Sequence, residues 1–245
     1  MRKPTRLILL TTVLLAACGK PPTGVWRGSM NSTTNQQTSA ALNIITSDKQ
    51  SYLKNDSTGI VFIGAVSVTT DKLQGTLARY LPAYNAVSID GVDTFMRGTA
   101  SSTASINGAI VANVSISGSY STSDDTGALA LNYDANIFER SAALSLVSGN
   151  WTFTDASGFS LTVAIDAAGN WAGSDTTGCN SNGSIALIDP TKNIYRVTIT
   201  ETACGQYDGS YTGVTTLSDR LTTNDTLSVF LYNSNTAFAF DLTKT

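Results

Sequence analysis

Gly149-Asn150-Trp151-Thr152-Phe153-Thr154-Asp155-Ala156-Ser157-Gly158-Phe159-Ser160-Leu161-Thr162-Val163-Ala164-Ile165 is the stretch on which the fold turns. Leu161, Val163 and Ile165 alternate with Thr162, Ala164 and Asp166, which sends apolar and polar side chains to opposite faces of an extended strand. Asp155-Ala156-Ser157-Gly158 supplies the aspartate and glycine that a tight reversal needs, and Ala168-Gly169-Asn170 repeats the signal. Tyr195, Val197 and Ile199 alternate with Arg196, Thr198 and Thr200 in the same way. Asp48-Lys49, Asn107-Gly108 and Asp189-Pro190 mark further turns, and no segment beyond the first eighteen residues has helical periodicity. The expectation is an all-β protein of half-buried antiparallel strands.

The chain describes this unit twice. Gly24-Val25-Trp26 parallels Gly149-Asn150-Trp151, and Asp56-Ser57-Thr58-Gly59 with Gly64 parallels Asp175-Thr176-Thr177-Gly178 with Gly183. Met96-Arg97-Gly98-Thr99 parallels Tyr211-Thr212-Gly213-Val214, and Ala128–Tyr133 parallels Leu227–Tyr232. On this alignment residues near 101–125 are an addition to the first copy. Each copy is expected to form an up-and-down meander of about eight strands, residues 24–148 and 149–245, closed into a barrel that leaves no edge strand. A two-sheet sandwich is the alternative. The G-x-W at the start of each copy resembles the lipocalin and avidin barrels. That likeness implies a tryptophan across the barrel floor with a basic partner, Arg140 for Trp26 and Lys244 for Trp151, and it implies no particular ligand.

The first residues carry Arg2, Lys3 and Arg6, then the uncharged run Leu7–Ala17, then Cys18. Eleven residues are too few to span a bilayer, which takes about 20 in a helix; this is the layout of a secretory signal peptide, residues 1–17. Leu15-Ala16-Ala17-Cys18 resembles the lipobox of bacterial lipoproteins, which implies cleavage before Cys18 and acylation, including a palmitate-type chain, at its thiol and new amino group. Gly19 at the second mature position resembles the outer-membrane rather than the inner-membrane sorting pattern. Pro21-Pro22 lies in a tether, residues 18–23, that holds the first strand within roughly 20 Å of the lipid surface. An integral outer-membrane barrel is set aside, because the outward positions are mostly Ser, Thr and Asn and no aromatic ends the chain.

The composition excludes more chemistry than the motifs suggest. The 245 residues include no histidine, which removes Ser-His-Asp and Cys-His catalysis and every His-containing metal site. Removing Arg2, Lys3 and Arg6 leaves 12 basic against 18 acidic side chains, a net charge of −6, which disfavours nucleic-acid binding. Cys179 and Cys204 are expected to form a structural disulfide, worth about 3.5 kcal/mol for a loop of about 26 residues. Cys204 is out of phase with Tyr195, Val197 and Ile199, so the ladder is expected to bulge or end near Thr200.

Asp125-Thr126-Gly127 resembles the aspartic-protease triplet, but its setting after Ser121-Thr122-Ser123-Asp124 is that of a solvated turn. Asp124 with Asp125, or Asp175 with Asn180 and Asn182, offers oxygen ligands without any calcium-loop spacing, so no metal and no cofactor is expected. Trp151, Trp171, Tyr195 and Tyr211 are the candidate ligand-binding aromatics of the second copy, with barrel packing as the competing role. The function expected is a lipid-anchored envelope binding or scaffold protein without catalysis. Its partners are the membrane through Cys18 and an envelope protein. The alternatives are a lipocalin-like carrier of a small apolar ligand and a hydrolase using carboxylates.

Overall fold

The computed structural model describes residues 22–245. The leader and Cys18, with the lipobox, lie outside the described residues. Among the described residues no helix is long and apolar enough to cross a membrane.

The strands are β1 (Gly24–Ser32), β2 (Thr38–Ile45), β3 (Gln50–Asn55), β4 (Val61–Thr69), β5 (Lys72–Val87), β6 (Thr94–Val111), β7 (Ser115–Ser121) and β8 (Thr126–Tyr133), then β9 (Gly149–Thr154), β10 (Ser160–Ile165), β11 (Asn170–Asp175), β12 (Asn180–Leu187), β13 (Tyr195–Thr202), β14 (Gly209–Ser218), β15 (Thr226–Tyr232) and β16 (Thr236–Lys244). Each pairs antiparallel with its successor within its own half. β8 returns to β1, and β16 returns to β9. The two halves are therefore two eight-strand rings, each a closed up-and-down meander. Between them, α1 (Ala135–Phe138) and α2 (Leu144–Val147) are single helical turns, too short to leave a periodic signal in the sequence.

Three turns of the second ring share one device. Asp155, Asp166 and Asp175 each accept, through Oδ1, the backbone N–H groups two and four residues on, while Gly158, Gly169 and Gly178 take up a left-handed backbone at the fourth position. In the first ring Asn55 rather than Asp56 caps the matching turn, accepting from Ser57 and Thr58 N–H, and this frees Asp56 for another role. Gly213 serves close approach instead: a Cβ there would lie 1.8 Å from the Phe230 carbonyl oxygen.

The likeness of the two rings is clearest at their floors. Trp26 Nε1 donates to the Pro22 carbonyl at 3.1 Å, and Trp151 Nε1 donates to the Val147 carbonyl at 2.8 Å, four residues upstream in both cases. Trp26 faces Tyr133 on the closing strand, and Trp151 faces Lys244. Lys244 Nζ lies 5.1 Å over the Trp151 ring, as the lipocalin resemblance implies, whereas Tyr133 packs edge-on to Trp26 at 5.2 Å. Arg140 is not the partner of Trp26; it bonds Asp219 and Asn224 of the second ring. The equivalence Tyr133–Lys244 makes β8 the counterpart of β16. Ala128–Tyr133 thus corresponds to β16 and not to Leu227–Tyr232 in β15, and residues 101–125 are no addition: they hold the end of β6 and β7, the counterpart of β15. Polar β sequences share so few residue types that a one-strand slip costs the alignment little.

Each ring has its own apolar core. Trp26, Met30, Leu53, Phe62, Leu77 and Ile106 are among those packed inside the first, and Trp151, Phe153, Trp171, Tyr195, Val197 and Tyr211 inside the second. A third apolar layer lies between the rings, where Ile44, Tyr52, Ile63, Tyr80 and Met96 meet Val214, Phe230, Ala237 and Ala239. β15 is consequently buried on both faces, while outward positions of β10–β12 such as Thr162, Ser174 and Asn182 are exposed.

The rings also share hydrogen bonds. Thr243 and Lys244 of β16 pair with Thr152 and Trp151, but Thr236–Phe240 pair with Thr99–Phe95 of β6. β16 and β9 therefore diverge, and the tip of the long β5–β6 hairpin sits in the fork, with Ser88 bridged to Asp155 and Ile89 N–H donating to the Thr154 carbonyl. Phe95, from the first copy, is buried in the core of the second.

Candidate functional site

The junction of the rings opens into a cleft of about 360 Å³, bordered by both. Its floor is a group of buried charges. Lys54 on β3 has a side chain only 4 % exposed, and its Nζ donates to Thr94 Oγ1 at 2.7 Å and lies 3.0 Å from Asp241 Oδ2 and 3.2 Å from Asp56 Oδ1. Asp241 accepts in addition from Ser228 Oγ at 2.6 Å and from Thr94 Oγ1 at 2.9 Å and N–H at 3.3 Å. Burial opposes the charge on both Lys54 and Asp241. The pairing outweighs it, holding the Lys54 pKa above and the Asp241 pKa below their ordinary values.

Beside this pair, Asp93 accepts from Thr243 Oγ1 at 2.6 Å and from Arg220 Nη1 at 2.7 Å. Arg220 also bonds Asp90, so one guanidinium ties the β14–β15 loop to the tip of the β5–β6 hairpin. Burial raises the carboxyl pKa of Asp56 and of Asp93. The cleft thus has Arg27, Lys54 and Arg220 against Asp56, Asp93, Asp219 and Asp241, which makes it polar and close to neutral.

The hairpin tip and the loop that Arg220 joins carry exposed aliphatic side chains: Val87, at the end of β5, is 48 % exposed, Ile89 71 %, Val92 58 % and Leu221 83 %. Val92 and Arg220 line the cleft itself, so one exposed aliphatic side chain borders the charged floor and the others lie on the hairpin tip and loop that Arg220 joins.

Cys179 and Cys204 are bonded, with Cα atoms 4.5 Å apart. The β12–β13 ladder runs past Thr200 as far as Asn180–Thr202; Ala203 then takes a left-handed conformation that turns Cys204 back over Cys179. The Glu201 carboxylate oxygen lies 3.3 and 3.4 Å from the two sulfurs. Burial, aided by the nearby Asp175, pushes the Glu201 pKa up to about 7.

Trp151, Trp171, Tyr195 and Tyr211 all lie buried inside the second ring, and each polar atom is engaged within the protein: Trp171 Nε1 donates to Ser181 Oγ at 2.8 Å, Tyr195 OH to the Ala143 carbonyl at 3.3 Å and Tyr211 OH to the Tyr207 carbonyl at 2.8 Å. Asp175 is a turn cap, and Asp125 accepts from Ser32 Oγ at 2.6 Å and Tyr120 OH at 2.8 Å. The cleft itself escapes sequence reasoning, although one signal marks it: Asp241 interrupts the apolar run Ala237–Leu242.

No known protein family, no curated protein and no solved structure matches the chain.

Proposed function

We propose that this is a lipid-anchored protein of the bacterial envelope, held at the outer membrane through Cys18. It acts as a binding or scaffold module without catalysis of its own, and it takes an envelope protein at the rim of the inter-ring cleft. The observation that carries this reading is the group of exposed aliphatic side chains Val87, Ile89, Val92 and Leu221 on the hairpin tip and loop clamped by Arg220, with Val92 at the edge of the polar cleft, which has the mixed character of a protein-binding surface. The packed interior of the second ring, where the candidate aromatics lie, favours it over a carrier of an apolar molecule. The cavity among Phe95, Trp171, Phe238 and Phe240 is about 20 Å³, room for about one water.

A carboxylate hydrolase would draw on Asp56, Asp93 and Asp241, which do converge on the cleft. Asp241, however, has both oxygens engaged by Lys54, Thr94 and Ser228, while Asp56 is ion-paired with Lys54 and Asp93 with Arg220, so each of the three is committed to a partner within the protein.

A photo-reactive phenylalanine analogue placed at Ile89 or Leu221 in cells tests the proposal. It should give a discrete adduct with an envelope protein, while the same group at Thr162, on the outer face of β10, should not. Equal labelling at all three positions, or none at Ile89 and Leu221, contradicts it.

A further inference from the structure

The end of the first ring that carries the β1–β2, β3–β4 and β7–β8 turns is open, with a cavity of about 190 Å³, the space of about six liquid waters. Its floor is apolar, made by Met30, Ile60 and Phe62 with the ring of Tyr120, which lies 6.4 Å from that of Phe62. Its walls carry hydroxyl and amide groups, among them Ser32, Thr58, Asn35 and Gln37.

Arg79 projects into this end from β5. Its side chain is only 8 % exposed, and although Nη1 is held by Asp124, the buried Nε has no hydrogen-bond partner. Ser102, opposite Arg79 in the β5–β6 register, has a buried Oγ that is likewise unpartnered. An unsatisfied donor on a buried guanidinium is unfavourable, and an acceptor brought into the cavity relieves it. The remaining charges of the cavity are Asp124 and Asp125, so with Arg79 the local balance is one negative charge. That balance disfavours an anion. The ligand must present an acceptor to Arg79 and donors to the two carboxylates. Hydroxyl groups on one ring do both, and the C–H face of such a ring suits the floor of Phe62 and Tyr120.

We propose that the open end of the first ring binds a neutral, hydroxyl-rich six-membered ring, a pyranose unit of a glycan. The site is separate from the inter-ring cleft and does not depend on the protein-binding role given to that cleft.

The test is calorimetric titration of the full mature chain in detergent with D-glucose, D-galactose, L-rhamnose and N-acetyl-D-glucosamine, with D-glucuronate as the anionic comparison. At least one neutral sugar should bind saturably and more tightly than D-glucuronate. Asn35→Trp, which plugs the mouth from an exposed loop, should weaken that binding about tenfold or more with an unchanged melting temperature. Arg79→Lys should also weaken it, and retained binding in Asn35→Trp would place the sugar elsewhere. Saturation by none of the neutral sugars, tighter binding of D-glucuronate, or indifference to Asn35→Trp overturns the proposal.

Discussion

Replacing Phe95 with alanine should damage the ring to which Phe95 does not belong in sequence. Its side chain is 3 % exposed and is ringed by Phe159, Phe153, Phe240 and Tyr84 at centroid distances of 4.9, 5.5, 5.5 and 5.9 Å. A buried Phe→Ala change costs about 3–5 kcal/mol, and four aromatic neighbours that cannot collapse into the space place this one in the upper part of that range, about 4 kcal/mol. For a chain of this size each kcal/mol lowers Tm by about 2–4 °C, so a fall of roughly 8–16 °C is expected. Hydrogen exchange read by mass spectrometry locates the damage: peptides from β9 and β10 should lose protection first. Ile106→Ala, on the same strand but in the first core, should instead weaken peptides from β7 and β8. A cost below about 1 kcal/mol for Phe95→Ala, or a loss of protection confined to β1–β8, would refute the shared hairpin.

Three further outcomes are expected. Lys54→Met leaves Asp241 buried without its cation and should cost about 3–5 kcal/mol in chemical denaturation; replacing Asp241 with Leu in the same chain should recover part of it. Glu201 is more readily protonated folded than unfolded, so its contribution is fully present below about pH 4.5 and is lost as the pH rises through about 7. Between those limits the wild type should lose up to about 3 kcal/mol relative to Glu201→Gln, and parallel pH–stability curves for the two proteins would dismiss the buried acid. Cys18→Ser should move the protein from the membrane fraction to the soluble fraction or leave it uncleaved, as seen by fractionation and mass; unchanged acylated membrane association would exclude the anchor.

The strand-by-strand architecture was legible because one face of most strands is buried and the other wet, as in Leu161–Ile165, and because Asp-x-x-Gly turns announce themselves. The disulfide was legible because Cys179 and Cys204 flank the turn Asp189-Pro190-Thr191-Lys192-Asn193, their midpoint falling between Thr191 and Lys192. What alternation does not contain is the identity of a strand's neighbour: nothing local says that Thr236–Phe240 leave β9 to pair with β6, or that Phe95 belongs to the second core. The unbroken apolar runs of Val229–Tyr232 and Ala237–Phe240 did hold a trace, since a strand buried on both faces loses its period of two. The cleft depends on that same non-local packing, which brings Lys54 and Asp241, 187 residues apart, into contact.

The most direct test of the central claim, that the inter-ring cleft and its rim form a binding surface, is native mass spectrometry of the protein released from its own envelope after gentle cross-linking. The wild type should carry the added mass of one protein partner, and Ala40→Trp, which fills the cleft from an exposed position on β2, should lose it while keeping its fold. A partner retained undiminished by Ala40→Trp, or a small apolar molecule as the sole added mass, would contradict the account.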